Sequence, residues 1–199
     1  MSADPPLPNG SITLSDVWTD LRRVADSLGV PERGVQLVTR LRTRLDAVSE
    51  RAARQPQRPR MACLVALDPP AAAGGWISEL IALAGGVDAL GTPGAWPLAL
   101  AVEDLQRADP DLLVLAPAGA DLAAALAVAD GIVSRPDWRT LRAVRECRVL
   151  AADGTRLFGR PGLHVAETLA VLAEMLHPDA FRLEHVGRAW ARLGSASAA

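Results

Sequence analysis

The stretch Met61-Ala62-Cys63-Leu64-Val65-Ala66-Leu67, which is followed by Asp68-Pro69-Pro70, decides the fold class. A short run of apolar residues bounded by prolines is typical of a strand that is buried on both faces. A loop of small residues, 71–75, leads into an amphipathic segment, 76–84, which ends at Gly85-Gly86. The order of strand, short loop and helix predicts the beginning of a parallel sheet that is covered by helices.

The rest of the chain repeats this alternation. Apolar runs at 112–116 and 148–151 are predicted strands, with a further short strand expected near 87–90. Helical spacing predicts helices at 76–84, 102–108, 122–129, 137–144, 163–176 and 180–192. We therefore expect an α/β fold, a three-layer α/β/α lobe with a mostly parallel sheet.

Two helices are predicted before this lobe. Apolar residues recur at helical spacing in the first of them: Leu14, Val17, Trp18, Leu21, Val24 and Leu28. Thr13 or Ser15 can cap its start, Gly29 ends it, and Pro31 begins a long second helix over 31–54. The expected organisation is a disordered lead at 1–12, the two helices at 13–55, the lobe at 60–192 and a tail at 193–199.

Composition excludes some classes of function. The formal net charge of the 199 residues is −2, so there is no electrostatic case for binding nucleic acid. Cys63 and Cys147 lie in or beside predicted strands, where we expect both to be buried and structural. No apolar run is long enough to span a membrane, and residues 1–10 lack the features of a signal peptide. As written, the chain is expected to be cytoplasmic, or extracytoplasmic if its true N-terminus lies upstream.

No catalytic or metal-binding pattern stands out. The sequence has no Gly-x-Ser-x-Gly motif of the kind that carries a catalytic serine. Gly85-Gly86 follows a predicted helix and is therefore expected to cap it, since a phosphate-binding loop would follow a strand. The three histidines have no zinc-type spacing, and His177 is predicted to cap a helix C-terminus. An enzyme is therefore not expected, although a small α/β enzyme stays the least favoured alternative.

Several large side chains follow predicted strands, where open α/β sheets bind their ligands. Trp76 begins the helix after the first strand, Trp96 lies in a Gly/Pro loop, and Phe158 and Arg160 lie in the glycine-rich loop 153–162. Each tryptophan could instead fill its own part of the core, and Arg160 could belong to an ordinary solvated loop. Trp138 and Trp190 are assigned to the core.

The motifs together resemble the C-terminal lobe of the helical-backbone solute-binding proteins of ABC importers, which capture vitamin B12, haem and iron-siderophores. The cobalamin-binding branch is the most similar. The resemblance covers about residues 13–181 and rests on these motifs: the unit 67–86, Trp96-Pro97, Asp109-Pro110-Asp111-Leu112-Leu113-Val114, Arg135-Pro136-Asp137-Trp138, Leu141-Arg142-Ala143-Val144 and Phe158-Gly159-Arg160-Pro161-Gly162.

This resemblance implies a ligand, a site and partners. The ligand would be cobalamin, or haem or an iron-siderophore, bound without a covalent link and delivered to an ABC permease. The ligand-binding residues implied are Asp68, Trp76, Trp96, Phe158 and Arg160. Glu79 is the nearest candidate for the acidic residue that docks on the permease, although it does not match that pattern cleanly.

Segment 13–29 resembles the last helix of the N-terminal lobe of this family, and segment 31–54 resembles the helix that bridges its two lobes. We expect the matching N-terminal lobe to be missing, which would leave the chain with an incomplete cleft. The stripe from Leu14 to Leu28 would then be uncovered. We expect the first helix to project from the lobe and pair with a second copy, although it could also fold back onto its own lobe. The alternative function is therefore an interaction module that forms homodimers without a role in transport.

Overall fold

The computed structural model describes residues 13–182 and 184–194. The predicted lead, 1–12, and residues 195–199 of the predicted tail lie outside this part of the chain. The helices are α1 (Leu14–Ser27), α2 (Pro31–Ala53), α3 (Trp76–Leu83), α4 (Val102–Ala108), α5 (Leu122–Val133), α6 (Arg142–Arg145) and α7 (Val165–Leu176). The strands are β1 (Arg60–Leu67), β2 (Pro70–Ala72), β3 (Val87–Asp88), β4 (Leu98–Ala99), β5 (Leu112–Leu115), β6 (Val149–Ala152) and β7 (Trp190–Arg192).

The strands form one sheet in the order β4-β2-β1-β5-β6-β7, and β3 also pairs with β1. The central strands β1, β5 and β6 are parallel, with Met61 opposite Leu112 and Leu113 opposite Val149. The outer strands β2, β4 and β7 pair antiparallel with their neighbours. The predicted fold class is confirmed, because apolar strands that alternate with helices form a sheet covered on both faces.

Side chains on alternate positions of each central strand point into different layers. Met61 and Cys63 pack against α1, α2, α3 and α7 on one face. Ala62 and Leu64 pack against α4, α5 and the segment around α6 on the other face. Both layers are closely packed, which explains why β5, β6 and residues 61–67 of β1 are apolar at every position.

The predicted helix at 180–192 is wrong. Trp190–Arg192 instead forms β7, which pairs antiparallel with β6 and thereby satisfies the free backbone groups along that edge of the sheet. The predicted helix at 137–144 is also divided, because Leu141 is extended between a 3₁₀ turn, Trp138–Thr140, and the short helix α6. Trp138 and Trp190 are both buried, as expected.

The long helix α2 runs unbroken, as predicted, but the expectation that the first helix projects from the lobe is wrong. Helix α1 folds back onto α2 and its own lobe, with Gly34 of α2 seated against Ala25 of α1. Leu14, Val17 and Trp18 are buried in the main core, and the guanidinium of Arg42 lies 5.5 Å from the Trp18 ring. Burial of these side chains stabilises the folded-back arrangement. Val24 and Leu28 remain exposed.

Two of the sequence motifs are joined by an ion-pair network at the amino ends of the strands. Arg142 donates to both carboxylate oxygens of Asp109, at 2.9 and 3.0 Å, and to Asp111 at 3.1 Å. The backbone N–H of Arg60 donates to the other oxygen of Asp111 at 2.9 Å. This backbone hydrogen bond and the nearby Arg142 lower the pKa of the Asp111 carboxyl. The Asp-Pro-Asp motif therefore ties β1 and β5 to α6.

Cys63 is buried as predicted, and burial raises the pKa of its thiol. The expectation for Cys147 is wrong, since this residue is exposed in a turn before β6 with a φ of 54°. His177 caps the C-terminal end of α7, as predicted. Among residues 13–182 and 184–194, no group lies within strict hydrogen-bond geometry of its buried Nε2 atom. Burial lowers the pKa of the imidazole, and the nearby backbone groups of Ala84 and Gly85 oppose this decrease.

Candidate binding site

The carboxyl ends of the parallel strands β1, β5 and β6 meet at one edge of the sheet. The connections that leave this edge include the β1–β2 turn at Asp68-Pro69 and the loops after Leu115 and Ala152. The two latter loops touch, because the N–H of Thr155 donates to the carbonyl of Ala120 at 3.1 Å. Ligands of open α/β sheets bind at this kind of edge.

Trp96 lies beside this edge on segment 92–99, which is called the Trp96 arm below. Trp96 is 47% exposed. It precedes β4 in the chain, and β4 pairs with β2. The arm rests on the start of α3, where the N–H of Gly75 donates to the carbonyl of Thr92 at 3.0 Å. Because strand pairing and this hydrogen bond fix the backbone on both sides, Trp96 presents an aromatic face at a defined place.

A partly buried polar pair holds the base of the Trp96 arm. The hydroxyl of Ser78, on α3, donates to Asp88 at 2.6 Å. The other carboxylate oxygen of Asp88 accepts from the N–H groups of Leu90 and Gly91, at 3.1 and 2.8 Å. This pair was not among the residues predicted from the sequence. An Asp three residues before a Gly, at the end of a short strand, is a signal typical of such a turn.

Asp68, predicted from the resemblance to contact ligand, is exposed and pairs with Arg135 at 3.1 Å. The same guanidinium also reaches Asp137 at 3.2 Å. Arg135 belongs to the motif Arg135-Pro136-Asp137-Trp138, and no role was predicted for its side chain. The structure therefore places one further cation next to the β1–β2 turn.

The loop after β6 begins with a turn that Asp153 caps. Its carboxylate accepts from the N–H groups of Thr155 and Arg156, at 3.0 and 2.8 Å. A π-helical turn, Gly154–Phe158, follows, and Arg160 comes after it on the surface. Within the described residues, Arg160 makes no ion pair or hydrogen bond, so its guanidinium is available to an anionic or amide group of a ligand.

The structure separates the five residues predicted from the resemblance into two groups. Asp68, Trp96 and Arg160 are exposed at or beside the carboxyl edge. Trp76 and Phe158 are 7% and 3% exposed and belong to the same core cluster. These two rings therefore support the site from below and cannot stack on a ligand in this conformation. The alternative that a tryptophan fills its own core holds for Trp76.

Glu79, the candidate for permease docking, is engaged within the chain. Both of its carboxylate oxygens lie 3.3 Å from the N–H of Leu14, so Glu79 helps to cap α1. Partial burial raises the pKa of this carboxyl, while the hydrogen bond from Leu14 opposes the increase. The contact explains in part why α1 lies on the lobe.

Neither a metal centre nor a membrane span is visible in the part of the chain that the structure covers. No group of three or more His, Cys, Asp and Glu side chains among residues 13–182 and 184–194 is arranged to hold a metal ion. No helix there has both the length and the apolar character needed to cross a bilayer. The arrangement at the carboxyl edge can offer an aromatic face, hydrogen-bond donors and charges.

A family model described as periplasmic binding protein matches residues 8–155. Among solved structures, the chain is similar to an ABC transporter substrate-binding protein from Listeria monocytogenes EGD-e, with a TM-score of 0.73 and 23% identity over 83% of this chain and 65% of that chain. The chain is also similar to the periplasmic heme-binding protein RhuT from Roseiflexus sp. RS-1, with a TM-score of 0.69 and 24% identity over 85% of this chain and 65% of that chain.

An ABC-type Fe3+-hydroxamate transport system from Saccharomonospora viridis DSM 43017 gives a TM-score of 0.71 and 23% identity, over 86% of this chain and 59% of that chain. At these identities the likeness shows a shared fold. The chain spans 65% or less of the length of these three structures. Among curated proteins, none matches the sequence.

Proposed function

The chain belongs to the periplasmic binding protein family, and from that membership we propose that it binds a metal chelate as a substrate-binding lobe of an ABC importer. The observation that carries the proposal is the exposed Trp96, held on a fixed arm beside the carboxyl edge of the sheet. Large planar chelates have broad faces that an aromatic ring can cover at little entropic cost.

Two neighbouring groups support this chemistry. Arg160 and Arg135 lie on connections that follow or border the same edge, and Arg160 has no partner within the described residues. A guanidinium can meet the carboxylates of haem, the amides of a corrinoid or the oxygens of a hydroxamate. Solved structures of similar fold are described as heme-binding or as part of Fe3+-hydroxamate transport, which favours the chelate class.

Within that class we favour a cobalamin-like corrinoid, on the sequence motifs that resemble the cobalamin-binding branch. Delivery to an ABC permease on the extracytoplasmic side of a membrane completes the proposal, and no catalytic step is required. The described edge forms one side of a cleft. Because ligand pockets normally enclose most of the ligand surface, we expect affinities of this chain alone to be millimolar to micromolar, on the order of −4 to −8 kcal/mol.

Calorimetric titration with cyanocobalamin, haemin and ferrioxamine tests the proposal. One of these chelates is expected to bind saturably, and Trp96→Ala is expected to weaken that binding about tenfold, the equivalent of about 1.4 kcal/mol of stacking. Trp96→Phe keeps an aromatic face and should bind nearly as well as the parent. Val128→Ala, an exposed apolar change on α5, is the control for general surface effects.

Two results would count against this function. Failure of all three chelates to bind would remove the chelate class, and equal affinity of the parent and Trp96→Ala would remove Trp96 from the site.

A further inference from the structure

An apolar groove runs between the second half of α1, the beginning of α2 and the loop 161–163. Its volume is about 450 Å³. The apolar part of the lining is aliphatic, without an aromatic ring, and includes Val17, Leu21, Val24, Leu28, Leu37 and Leu163. The groove lies outside the set of residues assigned to chelate binding.

Several side chains of this lining protrude into solvent. Leu28 is 71% exposed, Leu163 58% and Val24 52%, and all three border the same groove. Single exposed apolar residues are ordinary, but adjoining ones that also line a groove indicate a contact surface. Because the groove is open and its own rim protrudes, it suits a macromolecular surface better than a small enclosed ligand.

The groove lining includes one acidic and one basic side chain, Asp20 and Arg33, toward its opposite ends. Helices α1 and α2 are joined by the turn at Gly29 and lie side by side. Ala25 contacts Gly34 near the turn, and Trp18 contacts Arg42 farther from it. Arg33 therefore lies at the turn end, and Asp20 lies at the other end. Arg33 makes no ion pair within the described residues, while Asp20 pairs with the neighbouring Arg23 at 2.8 Å on the surface.

We propose that this groove is the contact between two copies of the chain, related by a two-fold axis that passes near Val24. Such an axis brings the same surface together from both copies. It places Leu28 of each copy in the other copy's groove and turns each acidic end toward a basic end, so that Asp20 faces the partner's Arg33. An amphipathic helix that lies in an apolar groove is a common mode of protein recognition.

This contact replaces the dimer expected from the sequence. That expectation used six residues of the predicted first helix, of which Leu14, Val17 and Trp18 are buried within the chain. The exposed remainder of the stripe, Val24 and Leu28, now joins residues from α2 and from the loop after β6. The inference does not depend on the chelate-binding proposal, because it uses other residues and another measurement.

Sedimentation equilibrium of the purified chain, over a concentration range up to about 300 µM, tests the contact. We expect a reversible monomer–dimer equilibrium in the micromolar range. Leu28→Glu is expected to raise the dissociation constant at least about tenfold, because it removes apolar burial and places a charge in the contact. Val128→Glu makes a comparable change on the opposite layer and should leave the equilibrium unaltered.

A charge exchange distinguishes a second copy from any other occupant. Asp20→Arg alone and Arg33→Asp alone should each weaken the dimer, since like charges would then meet across the two-fold axis. The double variant should restore the association. A chain that stays monomeric over the whole range, a dimer that Leu28→Glu leaves intact, or a double variant no better than either single variant would overturn the inference.

Discussion

Replacing Glu174 with leucine is expected to lower the free energy of unfolding by about 3 kcal/mol, because several buried donors would lose their acceptor. Glu174 lies on α7 and is only 3% exposed. Its carboxylate accepts from the N–H groups of Glu184 and His185 at 3.2 and 3.3 Å, from His185 Nδ1 at 2.6 Å and from Trp190 Nε1 at 3.1 Å. One side chain thus holds the segment that leads into β7.

Chemical denaturation followed by circular dichroism measures this loss, and Glu184→Leu is its control. Glu184 lies in the same segment, but its side chain is exposed, so its replacement should change stability by less than about 0.5 kcal/mol. Hydrogen exchange should also show the amides of Trp190–Arg192 losing protection in Glu174→Leu. A Glu174→Leu variant as stable as the control would show that the buried carboxylate does not anchor β7.

Gly154→Ala is expected to destabilise the fold by about 3 kcal/mol, at the upper end of the usual cost of overpacking. A Cβ atom on Gly154 would lie 2.0 Å from the carbonyl oxygen of Pro117 and 2.6 Å from that of Ala116. Since both neighbours are backbone atoms, the loops after β5 and β6 would have to separate. The same displacement should weaken chelate binding, because Arg160 follows on the displaced loop.

Gly131→Ala is the matched control, and the opposite sign is expected. Gly131 lies within α5, and a Cβ atom there would meet nothing within 4 Å. Alanine should therefore stabilise the helix by about 0.5–1 kcal/mol. Thermal unfolding of both variants provides the measurement. A Gly154→Ala variant that melts at or above the temperature of the parent would refute the close contact between the two loops.

The central part of the fold could be predicted from the sequence because its signals are local. The runs in β1, β5 and β6 are apolar at every position, and the proline at the start of α2 marks a helix that has a regular apolar stripe. The short antiparallel strands could not be predicted in this way. Pro70–Ala72, Leu98–Ala99 and Trp190–Arg192 are too short for a periodic pattern, and pairing with distant strands makes them extended.

The candidate site could be predicted only in outline. The position after a strand places these residues at or beside the carboxyl edge, but it does not determine which way a side chain points. Trp76 turns into the core, whereas Trp96 stays exposed. The role of Glu79 depends on Leu14, which is 65 residues away in the sequence, so no local pattern could reveal it. The same holds for the pairing of Arg135 with Asp68.

The central claim is that a metal chelate binds at the carboxyl edge beside Trp96. The most direct measurement is amide and indole NMR mapping with three diamagnetic probes: cyanocobalamin, gallium(III) protoporphyrin IX and gallium(III) desferrioxamine. With at least one probe, we predict saturable shifts that cluster at the Trp96 indole, Asp68, Arg160 and Gly74, which lies against the backbone of Ala95 and Trp96. Shifts concentrated elsewhere, such as around Gln106 and Arg145 at the opposite end of the strands, or no shifts with any probe up to about 1 mM, would contradict the account.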